Sequence, residues 1–394
     1  MTEINNKFNT VKVASISVAH HIHDIYTSFL APILPLLMEK FGITYTLAGL
    51  LSLIQRIPSL ANPFIGMVAD KVSVRYFIIF TPALTAISMS LIGIAPSYIF
   101  AAILLLVSGI SSTLFHVPAP VMIKHVSGNK IGKGMSFYMV GGELARTIGP
   151  VTILGAVSLW GLEGTYKLIP LGLIASGILF YKFKDIKIRQ DFSSDEVKKP
   201  VETYKITLKR FLPVLITTTS IVLFRGGMKS ALTLYLPTYI KEAGNTLWFA
   251  GISLSVLQLA GAAGTLLSGT ISDKIGRKNL FVISAIGTPV LMFLFVISSG
   301  IVTIPLLILL GIFIFAPGPV MLAAVHDKKT QNGAFINGVY MGMNFLINSL
   351  NVLAIGWLGD IIGLENTFKI TIAWGLLVIP FVLRFKETNK KFVP

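Results

Sequence analysis

Residues 98–122, YIFAAILLLVSGISSTLFHVPAPVM, contain no Asp, Glu, Lys or Arg. A helix crosses a bilayer with about 20 mostly apolar residues, so this stretch is long enough to span a membrane. The chain of 394 residues is 54% hydrophobic and 13% charged, and twelve such stretches with short connections account for most of it. The predicted spans are 13–38, 45–69, 76–95, 98–122, 134–158, 164–183, 211–240, 246–270, 279–298, 302–325, 334–358 and 364–385. The sequence therefore predicts an all-α polytopic membrane protein with twelve transmembrane helices.

The composition excludes several classes of protein. A mean hydropathy of +0.78 excludes a soluble enzyme. Long continuous apolar stretches exclude an outer-membrane barrel, whose strands are short and alternating. The chain has no cysteine, which excludes disulfides, thiolate metal sites and thiol nucleophiles. It also lacks the G-x4-G-K-[ST] loop of nucleotide-driven pumps. We expect neither an enzyme activity nor a cofactor.

Lysine and arginine are distributed unevenly between the two ends of the predicted helices. With a cytoplasmic N-terminus, 25 of the 33 basic residues lie in cytoplasmic segments and four lie on the opposite side. Such a bias sets membrane orientation, so both termini are predicted to be cytoplasmic in a multi-pass protein of the inner or plasma membrane. The net charge of +16 is then explained by topology and by contact with anionic membrane lipid. Nucleic acid is not expected as a partner.

The two halves of the chain repeat each other. The only long polar segment, 184–207, leaves six spans on each side, and we interpret it as a cytoplasmic linker between an N-terminal bundle, 1–183, and a C-terminal bundle, 208–394. Residues 118–122 (PAPVM) of span 4 recur 199 positions later as 317–321 (PGPVM) of span 10, and the paired prolines predict a bend in each span. Parallel repeats of this kind are known from transporters. We expect two pseudo-symmetric six-helix bundles in a monomer.

A loop motif occurs at matching positions of this repeat, after span 8 and, in degraded form, after span 2. Its residues are Gly269, Asp273, Lys274, Gly276, Arg277 and Lys278 in the complete copy and Gly66, Asp70, Lys71 and Arg75 in the other. The paired motif resembles the hallmark of the major facilitator superfamily, which implies the major facilitator fold for almost the whole chain. An Asp in such a loop can meet a helix N-terminus and neighbouring cations. We interpret the loops as conformational latches on the cytoplasmic side.

A narrower resemblance is to the fosmidomycin-resistance-like branch of that superfamily. It is carried by His20, His23 and Asp24 in span 1, Phe115 and His116 in span 4, and residues 140–142 (VGG) with Gly149 and Pro150 in span 5. Members of the branch resemble proton-driven exporters of small drugs, which is the function this likeness implies. The present chain has His23 where the branch usually has Asn, and it adds Glu143 and Arg146 to span 5.

Charged residues inside the spans indicate the kind of substrate. Each costs roughly 2.5–3.5 kcal/mol to insert and needs a partner or an aqueous cavity. Outside the loop motifs, the spans hold four cations and two carboxylates, namely Arg56, Arg146, Arg225, Lys229, Asp24 and Glu143. Because two carboxylates cannot neutralise four cations, we infer an anionic small-molecule substrate, which Arg can bind through two hydrogen bonds at once. The predicted substrate-binding residues are Arg56, Arg146, Arg225, Lys229, Gln258, Asn344 and Asn348.

Protons are the second expected partner. Asp24 is the first candidate for the coupling proton and Glu143 the second, because opening and closing a cavity can switch a carboxylate between its protonated and ionised forms. His20 and His116 are candidate proton relays. His20, His23 and Asp24 can converge on one face of a helix, but no other span offers a carboxylate cluster to join them, so no metal site is predicted.

Each of these residues also has a purely structural explanation. Glu143 and Arg146 are three residues apart and can neutralise each other. Arg56 can pair with Asp24, and His116 can hydrogen-bond a carbonyl. Asparagines on one face of span 11 can serve helix packing instead of substrate binding; they are Asn337, Asn344, Asn348 and Asn351.

The sequence predicts a secondary active transporter that works by alternating access. Proton-coupled antiport, which exports a small organic anion or drug, is the first hypothesis, and proton-coupled import of an organic anion is the alternative. A non-transporting membrane receptor is the hypothesis from another class. A receptor would be expected to carry a soluble domain or a long structured loop, and the sequence shows neither between its spans.

Overall fold

The computed structural model describes residues 8–62, 75–184, 203–327, 330 and 333–385. Contacts within the chain divide it into two units. Unit 1 comprises Met1–Ile43, Leu50–Ser194 and Ile240–Ser255, and unit 2 comprises Thr44–Gly49, Asp195–Tyr239 and Val256–Pro394. The start of predicted span 2 is thus assigned to unit 2, and the junction of spans 7 and 8 to unit 1. Most of the predicted linker, residues 185–202, lies outside the described residues.

The first half of the chain forms eight described α-helices. They are α1 (Thr10–Thr27), α2 (Leu30–Phe41), α3 (Tyr45–Arg56), α4 (Arg75–Ser90), α5 (Tyr98–His116), α6 (Ala119–Val126), α7 (Ile131–Trp160) and α8 (Ile169–Phe183). Short 3-10 turns occupy Ile57–Ala61, Leu91–Ile94 and Glu163–Leu168. Helix α1 packs along α7, and α4 packs against α5 and α8. Side chains such as Phe115, Met122 and Phe183 form an apolar core within unit 1.

The described second half forms eight further α-helices. They are α9 (Tyr204–Ser230), α10 (Leu236–Glu242), α11 (Leu247–Ile275), α12 (Arg277–Ile297), α13 (Thr303–Phe315), α14 (Pro317–His326), α15 (Gly333–Leu376) and α16 (Ile379–Leu383). A π-helical turn, Ala231–Tyr235, joins α9 to α10, and a 3-10 turn, Gly300–Val302, precedes α13. Helix α9 packs along α15, and α12 packs against α13 and α15. The apolar core of unit 2 includes Phe281, Val320 and Val382.

The prediction of an all-α membrane protein is confirmed. Eight helices of the described residues are long and apolar enough to cross a bilayer, and one of them, Val339–Leu383, contains two predicted spans. The backbone turns between these two spans at Gly363, which has a φ of +79°, a conformation that glycine adopts without steric cost. Predicted spans 1, 2 and 5 correspond to α1 with α2, to α3, and to α7.

Prolines break three of the spans at defined places. Span 1 is interrupted between α1 and α2, where Pro32 can neither donate a hydrogen bond to the Ser28 carbonyl nor fit closely beside it. The α-helices of spans 4 and 10 are interrupted next to Pro118 and Pro317, where α5 gives way to α6 and α13 to α14. These interruptions lie at the repeated proline pairs, where the sequence predicts a bend.

Glycines allow the main helix pairs of each unit to approach closely. On α7, a Cβ at Gly141 would lie 2.6 Å from the Ser17 carbonyl oxygen of α1, and a Cβ at Gly149 would lie 2.9 Å from the Ile25 carbonyl oxygen. On α9, Gly226 makes room for the amide of Asn351 on α15. Span 1 against span 5 and span 7 against span 11 are equivalent pairs of the repeat. Both contacts therefore depend on small residues, as is common between membrane helices.

Candidate functional site

A cluster of three histidines surrounds Asp24 within unit 1. His20 and Asp24 are one helical turn apart on α1, and His20 Nε2 lies 3.2 Å from Asp24 Oδ2. His116, the last residue of α5, brings its Nε2 to 3.3 Å from Asp24 Oδ1. His23 Nδ1 donates to the same Oδ1 at 2.9 Å. The carboxylate is thus enclosed by imidazoles from two helices.

Aromatic rings fix the orientation of this histidine cluster. The His20 ring is stacked on Tyr138 with ring centres 4.0 Å apart, and the His23 ring is stacked on Phe115 at 4.7 Å. His20, His23 and Asp24 are buried, whereas 37% of the His116 side chain is exposed. His116 is therefore the most exposed member of the cluster.

A second polar site lies within unit 2. A cavity of about 140 Å³ is bordered by residues of α9, α13, α14 and α15, among them Arg225, Lys229, Tyr340, Asn344 and Asn348. Four of these five residues are among those that the sequence predicts to bind substrate. Tyr340 was not predicted, although it lies one helical turn before Asn344 and therefore on the same face of α15.

Arg225 is the most deeply buried cation of this cavity, with 6% of the residue exposed. One terminal nitrogen donates to the carbonyl oxygen of Phe313, and Nε has no hydrogen-bond partner. Among the described residues, no carboxylate pairs with its guanidinium. Lys229 lies one turn further along α9, with Nζ 5.0 Å from the centre of the Phe315 ring. The cavity therefore offers positive charge, an aromatic face and amides.

The asparagine stripe of span 11 has more than one role. The Asn351 amide donates to the Val222 carbonyl at 3.1 Å and lies against Gly226, so this residue holds α15 to α9. Asn344 and Asn348 donate to carbonyls of their own helix, at 2.9 and 2.7 Å, and border the cavity. The side chain of Asn337 lies outside the described residues.

Among the described residues, the other predicted polar residues form no hydrogen bond or ion pair with either cluster. Arg146 Nη2 lies 3.0 Å from Glu143 Oε1 on the same helix, and 16% of the Glu143 side chain is exposed. Arg56 ends α3 with its side chain exposed and, among the described residues, forms no ion pair with Asp24. Gln258 is half-buried on α11 and does not border the Arg225 cavity.

The complete loop motif forms a compact ion-pair network within unit 2. Gly276, with a φ of +94°, begins the turn into α12. Arg277 then pairs with Asp273 at 2.7 Å and with Asp327, after α14, at 3.3 Å. In the degraded copy, Gly66, Asp70 and Lys71 lie outside the described residues, and Arg75 contacts the ring and hydroxyl of Tyr76.

The histidine cluster also contains the one group of possible metal ligands found among the described residues. One donor atom each from His20, Asp24 and His116 lies within 4.8 Å of the others. The sequence predicts that His20, His23 and Asp24 converge on one face, with no carboxylate cluster from another span to join them. The structure instead turns Nδ1 of His23 to donate to Asp24, and it supplies His116 from another span, a neighbour that helical periodicity alone cannot identify.

Comparison with known proteins identifies the family. Residues 16–350 match the family model described as Major Facilitator Superfamily. The Fosmidomycin resistance protein of Escherichia coli (strain K12) is 24% identical over 91% of this chain and 88% of its own length. Multidrug resistance protein MdtG of Salmonella arizonae is 25% identical over 77% of this chain and 76% of its own length.

Solved structures agree with this fold. A bacterial homologue of the human lysosomal transporter Spinster, in an inward-facing and unoccupied conformation, superimposes with a TM-score of 0.75 and 14% sequence identity. The match covers 95% of this chain and 96% of that chain. At this identity the likeness shows the fold alone, which is the twelve-helix fold predicted from the sequence.

Proposed function

The chain belongs to the Major Facilitator Superfamily and is a multi-pass membrane transporter of small molecules, not an enzyme; from this premise we propose that it exports a small organic anion in exchange for protons by alternating access. The observation that carries the proposal is the buried Arg225 guanidinium beside the polar cavity of unit 2. The distribution of Lys and Arg supports placing both termini in the cytoplasm, in the inner membrane of a bacterium.

Electrostatics supports an anion as the ligand of this cavity. Burying a guanidinium is costly unless its N–H groups and its charge are matched, and Arg225 has an unpartnered Nε with no carboxylate among the described residues to neutralise it. A carboxylate or phosphonate accepts two parallel hydrogen bonds from such a group. Lys229 adds a second cation to the same border. An anionic ligand would therefore supply the negative charge and the hydrogen-bond acceptors that Arg225 lacks in this cavity.

The volume of the cavity limits which part of the ligand it holds. Drug-sized ligands occupy pockets of about 300–1,000 Å³, whereas this cavity measures about 140 Å³. We assign it to the anionic head of the substrate. The amides of Asn344 and Asn348 would then fix the orientation of the head through hydrogen bonds.

The names of the relatives support export. One is a fosmidomycin resistance protein and another a multidrug resistance protein, and we extend efflux to this chain on that basis. For the coupling proton we assign Glu143 in preference to Asp24. Glu143 is partly accessible and is paired with Arg146 alone among the described residues, whereas Asp24 is enclosed by three imidazoles.

Proton-coupled import of an organic anion remains the second candidate, because of the Glu143–Arg146 pair. Protonation of Glu143 removes the counter-charge of Arg146 and leaves a cation ready to bind an anion. Proton and anion would then bind together, which is the requirement for symport. In antiport, by contrast, the two ligands occupy different steps of the cycle. The sign of coupling to a pH gradient separates the two candidates.

The test uses purified protein in liposomes with fosmidomycin as the probe. Antiport predicts accumulation of the probe when the lumen is more acidic than the outside, and symport predicts it with the opposite gradient. Protein-free liposomes provide the correction for passive movement. Equal uptake in the presence and absence of protein, with other phosphonates and carboxylates as well, would contradict transport of small anions.

Two variants test the residue assignments. Arg225→Gln is expected to weaken probe binding by about tenfold or more, because it removes a charge-assisted bidentate contact. Arg210→Gln, an exposed position on the same helix, serves as the matched control. Glu143→Gln is expected to abolish accumulation driven by the pH gradient while exchange of labelled for unlabelled probe continues. If gradient-driven accumulation survives in Glu143→Gln, the proton assignment is wrong.

A further inference from the structure

The histidine cluster brings three electron-pair donors together in unit 1. His20 Nε2 and His116 Nε2 are 3.3 Å apart. Each also lies close to a different oxygen of Asp24, at 3.2 Å for His20 and 3.3 Å for His116. The two nitrogens and the two carboxylate oxygens thus face one another, and one donor atom from each of the three residues lies within 4.8 Å of the others.

Hydrogen bonds on the far side of each ring determine which nitrogen carries the proton. His20 Nδ1 lies 2.8 Å from the Tyr138 carbonyl oxygen, and His116 Nδ1 lies 2.8 Å from the Ser112 carbonyl oxygen. A carbonyl only accepts, so both Nδ1 atoms must donate. In neutral imidazoles the lone pairs of both Nε2 atoms therefore face each other and the Asp24 carboxylate. Three acceptors without a donor between them favour a cation in the middle, which is an added proton or a metal ion.

We propose that His20, Asp24 and His116 bind one divalent transition-metal ion of the Zn²⁺ type. Zinc lies about 2.0–2.1 Å from imidazole nitrogen and 2.0–2.2 Å from carboxylate oxygen, and ligands of a tetrahedral ion at these lengths are about 3.3–3.4 Å apart. The 3.3 Å between the two Nε2 atoms matches that spacing, and Asp24 offers one oxygen to each nitrogen at 3.2 and 3.3 Å. Imidazole ligands favour Zn²⁺, Co²⁺ or Ni²⁺ over Mg²⁺ and Ca²⁺, which prefer oxygen.

The surroundings of the cluster resemble those of a prepared metal site. Metal-bound histidines usually donate their other N–H to a carbonyl, and metal-bound carboxylates are usually hydrogen-bonded themselves. Both His20 and His116 meet the first condition. Asp24 meets the second, through the His23 Nδ1 donor at 2.9 Å. His23 is thus a positioning residue, which orients the carboxylate without contacting the ion.

Space for the ion and a fourth ligand is provided by Gly142 on α7. A Cβ at this position would lie 2.9 Å from His20 Nε2 and 3.3 Å from Asp24 Oδ2, so any side chain would fill the volume beside the donor atoms. His116 is the most exposed of the three residues, with 37% of its side chain accessible. Three protein ligands would leave one position of a tetrahedral ion for another ligand, the pattern of zinc sites that exchange a ligand.

The test measures metal binding by the purified full-length protein in detergent, independently of transport. Co²⁺ is the first probe, because tetrahedral Co²⁺ has intense visible absorption bands. We expect one equivalent of Co²⁺ to bind with such bands and to be displaced by one equivalent of Zn²⁺. Absence of the bands, with no heat of Zn²⁺ binding by calorimetry, would overturn the proposal.

Variants distinguish this site from binding by surface histidines. His116→Gln removes a ligand at a partly exposed position, where loss of folding is not expected, and it should lower Co²⁺ affinity at least tenfold. Gly142→Ala keeps all three ligands but fills the adjacent space, and it should weaken binding as well. His125→Gln, at an exposed position, is the matched control and should bind like the unmodified protein. Equal loss in His125→Gln, or unchanged binding in His116→Gln and Gly142→Ala, would refute the assignment.

Discussion

The N-terminus of α3 is held by one carboxylate from α15, which predicts a measurable opening when that carboxylate is removed. Asp360 and the first turn of α3, which lies within Thr44–Gly49, both belong to unit 2. Asp360 accepts hydrogen bonds from the backbone N–H of Tyr45 at 2.7 Å and of Thr46 at 3.0 Å, and also from the Thr46 hydroxyl. The first N–H groups of a helix have no partner within the helix. Asp360 supplies that partner from a distant part of the chain.

The magnitude follows from the two interactions that Asp360→Ala removes. Loss of a capping side chain costs about 0.5–2 kcal/mol, and loss of a negative charge beside a helix N-terminus costs about 0.3–1 kcal/mol. Asp360 is exposed, which screens the charge, so we expect about 1–2 kcal/mol in total. A change of this size increases the population in which the first turn of α3 separates from Asp360 by about 5- to 30-fold.

The assay uses the absence of cysteine from the chain. Ala48 on α3 is fully buried, so in an Ala48→Cys variant a water-soluble maleimide reacts only when this end of α3 opens. The labelling rate should rise by about 5- to 30-fold when Asp360→Ala is added, and less with Asp360→Asn, which keeps one acceptor oxygen. Glu365→Ala, which removes an exposed ion pair with Lys369, should leave the rate unchanged. If Asp360→Ala also leaves it unchanged, the carboxylate does not hold α3 in place.

Two further predictions concern helix packing and the loop motif. Gly141→Leu places a Cβ 2.6 Å from the Ser17 carbonyl oxygen and should destabilise the protein by about 1–3 kcal/mol. Gly155→Leu, where a Cβ meets nothing within 4 Å, is the control. Equal melting temperatures of the two variants would contradict this account of the α1–α7 contact. Arg277→Gln should remove an interaction with Asp327 that contributes about 1 kcal/mol to the free energy of unfolding. A double-mutant cycle with Asp327→Asn measures this interaction by thermal unfolding. If the effects of the two substitutions on the free energy of unfolding are strictly additive, the pair contributes nothing.

The spans and the family were predictable because both depend on local patterns. Apolar stretches of about 20 residues and a repeated loop motif need no knowledge of tertiary contacts. The partners of the buried polar residues were not predictable in the same way. Periodicity places Asp24 and His20 on one face of α1, but it cannot show that His116, rather than Arg56, faces them. Likewise, the depth of Gln258 in the bilayer did not reveal that it lies away from the Arg225 cavity.

Long-range contacts explain the remaining differences. Asp360 and Tyr45 are 315 residues apart. Nothing in the sequence around either residue indicates that Asp360 contacts the start of α3. The bends were easier to predict, because Pro118 and Pro317 act on their own helices. Sequence reasoning therefore succeeded where the cause and its effect lie within one helix.

The two units have opposite electrostatic requirements. In unit 1, two imidazole nitrogens and the Asp24 carboxylate face one another and favour a cation between them, which is a proton or a metal ion. In unit 2, the buried Arg225 guanidinium requires an anion. Different side chains meet these requirements, and any influence of one ligand on the affinity for the other must be reciprocal. With no anion present, Arg225→Gln should leave the affinity for Co²⁺ unchanged. With no metal present, His116→Gln should leave the affinity for the anion unchanged. A loss of affinity in either measurement would mean that the two sites share ligands.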